Sequence, residues 1–118
     1  MALTSTSGHW ASVRGRAPGL AGLSCGMELY VANACAGAML IEESGEVRIV
    51  DECKAAGLIA TDREETLIDL LRGELPPIVA HLQGRLRFEG DADLALRVLF
   101  GLQEGSPWAE ALEVGAAS

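Results

Sequence analysis

At 118 residues the chain has the length of one domain, enough to bury roughly two-thirds of the surface its unfolded form exposes. Hydrophobic residues make up 49% of it and aromatics 4%, so the interior is aliphatic and offers no stacking platform for bases or flat rings. Seventeen acidic against nine basic residues leave a net charge of -8, which argues against nucleic acid as a partner, and the apolar runs stop well short of the roughly 18 residues of a membrane span.

Residues 1–26 contain no acidic side chain. Trp10, Val13, Ala17 and Leu20 have helical spacing, but glycines at 8, 15, 19 and 22 and Pro18 cut across them. The expectation is a poorly ordered leader or weak helix over 1–26, followed by a single domain over 27–118. MELYVA (27–32) alternates Met27, Leu29 and Val31 against Glu28, Tyr30 and Ala32 and reads as a strand. AMLIE (38–42) and EVRIV (46–50) flank Ser44 and Gly45, the material of a hairpin turn. KAAGLIAT (54–61) is a fourth, weaker strand of small residues, and the four together suggest an antiparallel meander.

The period then changes. Thr61, Asp62, Arg63 and Glu64 fit a capping box in which Thr61 accepts from the backbone three residues on and Glu64 reaches back. Leu67, Ile68, Leu70 and Leu71 follow as one apolar stripe, opposed by Glu65, Asp69 and Arg72, and Gly73 is placed to end the helix. Pro76 and Pro77 open a second short helix whose apolar side is Ile78, Val79 and Leu82, and Gly84 stops it. RLRFE (85–89) is a fifth strand with Leu86 and Phe88 inward. A last helix begins at Asp91 or Ala92, and between Ala92 and Leu102 it carries only Asp93 and Arg97 as charges, four apart on one face. That is too apolar for burial on one side alone. Such a helix is either sandwiched or covers something apolar that is not protein.

The chemistry-bearing residues are sparse. Cys25, Cys35 and Cys53 are an odd number with no CxxC pair, and His9 and His81 are the only histidines, so neither a zinc site nor a disulfide framework is expected and reduced thiols are. His81 has no nucleophile turn in the sequence to work with, no GxxxxGK loop is present, and Glu42–Glu43 and Asp51–Glu52 read as solvated turn charge. No enzyme activity, cofactor or metal is expected. The absence of a signal peptide, a peroxisomal tripeptide and a membrane span points to a bacterial cytoplasm.

The order helix, RGELPP, short helix, QGRLRFEGD, apolar helix resembles the C-terminal half of the sterol carrier protein 2 domain, with Gly73, Pro76, Gly84, Leu86, Gly90, Asp91 and Leu94 in the matching places. The resemblance covers residues 27 to 102, the earlier strands matching in number only, and the amphipathic N-terminal helix usual in the family has no good counterpart in residues 1–24. It implies an α+β fold, a five-stranded, mainly antiparallel curved sheet with helices on one face. It also implies an apolar tunnel for an acyl chain, acyl-CoA, phospholipid or sterol-like ligand. The residues matched to such a lining are Met39, Ile41, Leu67, Leu70, Leu71, Ile78, Leu82, Leu96, Leu99 and Phe100. The sequence leaves two readings of those stripes open: ligand-facing wall and ordinary packed core. The first makes the chain a non-catalytic lipid-binding or lipid-transfer protein; the second leaves it a dimerisation or accessory module, with a homodimer as its assembly.

Overall fold

In a computed structural model, which describes residues 13–51, 53–102 and 106–117, alternating apolar residues build a six-stranded sheet and helical stripes cover one of its faces. The strands are β1 (Arg14–Arg16), β2 (Cys25–Val31), β3 (Ala34–Ile41), β4 (Glu46–Val50), β5 (Gly57–Thr61) and β6 (Leu86–Gly90), with a 3-10 turn at Pro18–Leu20. The helices are α1 (Glu64–Leu71), α2 (Pro77–Leu82), α3 (Ala92–Gly101) and α4 (Pro107–Ala117). The sheet order is β1-β4-β3-β2-β5-β6.

The hairpin expected at Ser44 and Gly45 is present, and β2 and β3 form another. β2 turns into β3 through Ala32 and Asn33, both at positive φ (49° and 70°), the geometry that matches the twist of two antiparallel strands. β3 turns into β4 through Gly45, at φ 93°, closed by a 2.8 Å bond from the Gly45 amide to the Glu42 carbonyl. The meander expectation fails at the next strand. β5 crosses back to lie beside β2 in parallel, while the other four pairings are antiparallel. The sheet has six strands rather than five because β1 adds to the edge beside β4, Arg14 opposite Arg48.

That added strand falls inside the stretch read as a poorly ordered leader or weak helix. Residues 1–12 lie outside the described residues, but from 13 onward the chain is built into the fold. Val13, Ala17 and Leu20 are buried, and the Ala17 amide donates to the Gly45 carbonyl at 2.8 Å. Gly15 and Gly19, which argue against a helix, allow close approach instead. A Cβ on Gly15 would stand 2.7 Å from the Trp108 Cα, and one on Gly19 would strike the Gly101 carbonyl oxygen.

The capping box is a second correction. Thr61 still belongs to β5, paired with Val31 and Leu86, and its hydroxyl donates to the carbonyls of Tyr30 (3.2 Å) and Arg63 (3.3 Å). Arg63 is the N-cap of α1, with no side-chain cap bond. The first turn is steadied by Glu64 and Glu65 against the helix dipole. The nearby polar bond runs from the Thr66 hydroxyl to Asp62 Oδ1, 2.6 Å. Gly73, at φ 78°, ends α1 as expected, and Gly84, at φ 73°, follows α2. Asp91 caps α3 by accepting from the Leu94 amide at 3.0 Å. α4 had no counterpart in the sequence reading. Pro107 opens it, and Ser106 Oγ accepts from the Ala109 amide at 3.1 Å.

The core lies between the sheet and the helices. Met27, Leu29, Ile41, Val47, Ile49 and Ile59 from the strands meet Leu67, Leu70, Leu71, Val98, Leu99 and Trp108 from the helices. The intervening strand positions, including Glu28, Arg48, Arg87 and Glu89, point to the opposite face, which is why the helices cover one side only.

Candidate functional site

The ten candidate lining residues separate by depth. Met39 and Ile41 on β3, Leu67, Leu70 and Leu71 on α1, and Leu99 on α3 are all buried and belong to one continuous cluster. Met39 faces Met27 across the β2–β3 pairing and Ile49 across β3–β4, so two methionines sit side by side on the covered face of the sheet. Leu96 is half-buried. Ile78, Leu82 and Phe100 stand at the surface, 45%, 79% and 57% exposed, and with Val79, 41%, they are the large hydrophobics that the described part of the chain shows to water. The apolar side of α2 therefore faces outward. Pro77 and Ala80 are its buried residues.

Trp108, Met27, Leu29, Ile59 and Val98 belong to the same interior and were not among the candidates. The alternation in MELYVA contained the signal for Met27 and Leu29. Trp108 follows a Ser-Pro pair that could have marked a helix start. α3 answers the question its composition poses. Ala95, Val98 and Leu99 face the core, while Gly101 packs against Gly19 and Leu20 of the 3-10 turn and further contacts reach β5, β6 and α2. It is sandwiched on several sides, with Phe100 left over.

A polar clasp borders the interior where β5 passes into α1. Arg85 Nη2 donates to the buried Thr66 hydroxyl at 2.7 Å, and Thr66 in turn donates to Asp62, whose carboxylate lies 3.7 Å from Arg85 Nε. The Thr66 bond, with the Arg85 charge adding to it, lowers the Asp62 pKa from its ordinary value. Asp62 and Arg85 line a depression of about 210 Å³ shared with Asn33, Thr61 and Arg87. Its charged groups are occupied by one another, so its chemistry is that of a fastener. Asp93 and Arg97 line a separate depression of about 330 Å³ without forming an ion pair.

His81 sits on α2 with Nδ1 3.2 Å from the Leu86 carbonyl oxygen and its ring stacked on Phe88, centroids 6.0 Å apart. Cys25, Cys35 and Cys53 are free thiols. Burial raises the pKa of Cys25, with the nearby Cys53 and Asp91 adding to it, and burial followed by Glu28 raises that of Cys53. Among the described residues no group of three or more His, Cys, Asp or Glu is placed to hold a metal ion, and no helix is long and apolar enough to cross a membrane.

No protein-family model matches the chain, and no curated protein sequence matches it. Solved structures do. The stereoselective inverting sec-alkylsulfatase Pisa1 from Pseudomonas sp. superimposes with a TM-score of 0.56 at 17% identity, over 75% of this chain and 14% of the sulfatase. The chain thus corresponds to a small part of that enzyme's length. Palmitated SCP2L2 from Aedes aegypti superimposes with a TM-score of 0.50 at 16% identity, over 72% of this chain and 78% of that one. The chain has the fold of the sterol carrier protein 2 domain.

Proposed function

We propose that the chain is a non-catalytic lipid-binding protein that takes the apolar part of a fatty acid, acyl-CoA, phospholipid or sterol-like molecule between the sheet and the helices α1 and α3. The observation that carries the reading is the composition of that interior, aliphatic and methionine-containing, within a fold whose solved neighbour from Aedes aegypti is palmitated. Each methylene moved from water into such a place contributes about 0.8 kcal/mol, before the ordering costs of binding are subtracted.

The lining side chains pack on one another, so entry of an acyl chain requires α1 and α3 to move off the sheet. Met27 and Met39 are suited to that step. Their unbranched thioethers re-pack around an irregular guest more readily than β-branched side chains do. A reducing, cytoplasmic setting accords with the three free thiols.

The likeness to a small part of a sulfatase favours one other reading, a structural module that associates with a second polypeptide. Native mass spectrometry of gently purified protein separates the two. A chain accompanied by a lipid-sized mass is expected. A dimer that carries none, and that takes up no fluorescent fatty acid, defeats lipid binding and leaves the module.

A further inference from the structure

We propose that the outward side of α2, together with the end of α3, docks on a zwitterionic phospholipid surface. Three exposed large hydrophobics, Ile78, Val79 and Leu82, lie within the six residues of α2, and a fourth, Phe100, is exposed on α3, a helix that touches α2. Exposed apolar side chains scattered singly need no explanation, but a concentration of them marks an interaction site. α2 is a preset wedge. Pro77 at its first position and Gly84 after its end define a helix of six residues whose inward side is only Pro77 and Ala80.

Charge selects the occupant. Residues 75–84 contain no Asp, Glu, Lys or Arg, in a chain of which 22% is charged. No fixed charge therefore enters the region between lipid headgroups and acyl chains, and His81, the titratable side chain of the run, is held by the Leu86 carbonyl and the Phe88 ring. Arg97, exposed one turn before Phe100 on α3 and sharing a depression with Asp91 and Asp93, enters no ion pair among the described residues and leaves a guanidinium for a lipid phosphate. The net charge of -8 disfavours an anionic bilayer and equally a second copy of the chain. A stable protein interface also needs about 800 Å² and roughly 20 to 30 residues from each partner. A six-residue helix and the last turn of another fall short of that, whereas a bilayer accepts side chains one by one.

The docking stands on the patch alone; that lipid then passes between the bilayer and the interior beside α3 rests on the lipid-binding reading. The test is flotation of the 118-residue chain with pure phosphatidylcholine vesicles. The unaltered chain is expected to float, and Ile78→Glu with Leu82→Glu to lower vesicle partition on the order of a hundredfold, with the circular dichroism spectrum kept. Leu82→Ser, expected to lower partition by about tenfold, carries the test should the double variant misfold. No flotation of the unaltered chain, or equal flotation of a folded variant, overturns the proposal. So does a dimer on size exclusion that the same substitutions abolish, which would give the patch to a second copy. Uptake of a fluorescent fatty acid by the unaltered chain in vesicle-free buffer is read in parallel. Uptake without flotation overturns the docking alone, and flotation without uptake overturns the lipid-binding reading alone.

Discussion

Trp108 Nε1 donates a 2.9 Å hydrogen bond to the backbone carbonyl of Leu71, 37 residues earlier, and both side chains are fully buried. Leu71 is the last residue of α1, where carbonyls have no partner within the helix. The indole of α4 supplies that partner and so fastens the C-terminal helix over the end of α1. Trp108→Phe keeps most of the ring but orphans the carbonyl, at an expected cost of about 1 to 3 kcal/mol. Trp108→Ala adds a cavity and is expected to cost about 3 to 5 kcal/mol. Urea denaturation measures both. A Phe variant with the midpoint of the unaltered chain would show that the hydrogen bond contributes nothing.

Asp62 gives the fold a dependence on acid. Its pKa in the folded chain is lowered by the Thr66 hydrogen bond and by Arg85. The stabilisation is therefore complete above the ordinary aspartate value of about 3.9 and is lost as pH falls through the lower folded value. Asp62→Asn is expected to lower Tm slightly at neutral pH, the small effect following from an exposed carboxylate, and to match the unaltered chain in strong acid. Melting curves across that range check it. A gap that does not close on the acid side would mean the substitution acts through packing.

The thiols differ in reach. Cys35 is exposed, while Cys25 and Cys53 are half-buried and burial raises the pKa of each. A thiol reagent at neutral pH is expected to modify one thiol quickly and two slowly, and Cys35→Ser to remove the fast phase. In denaturant, without reductant, all three should react together. Retention of the fast phase in the serine variant would place the reactive thiol elsewhere.

Period and punctuation made much of this fold legible. Met27, Leu29 and Val31 alternate as a strand facing a core must, and Gly73, Pro77, Gly84 and Asp91 bound helices within a residue or two of where they lie. What stayed hidden is non-local. Nothing in GLIAT says that it returns to lie parallel to β2, because pairing partners are chosen by the assembled sheet. RGR is too short to show alternation, and its place in β1 depends on β4 and on Trp108 behind Gly15. The candidate lining was read from stripes, and a stripe does not tell inward from outward. Leu67 and Leu70 went in, whereas Ile78 and Leu82 went out, because the small Pro77 and Ala80 let α2 lie close on its other side.

The parallel seating of β5 beside β2 sets an order of assembly. β2, β3 and β4 are neighbours in sequence and in space, so their hairpins close short loops at small entropic cost. β5 can dock only after the chain has passed over two intervening strands, and β6 only after β5. At the far edge β1, the first described strand, must wait for β4 before it has a partner. During synthesis β1 therefore emerges before β2, β3 and β4 and joins the sheet after them. The slow stage of folding, as for any sheet closed by long-range pairs, is the completion of its two edges around a hairpin core already formed.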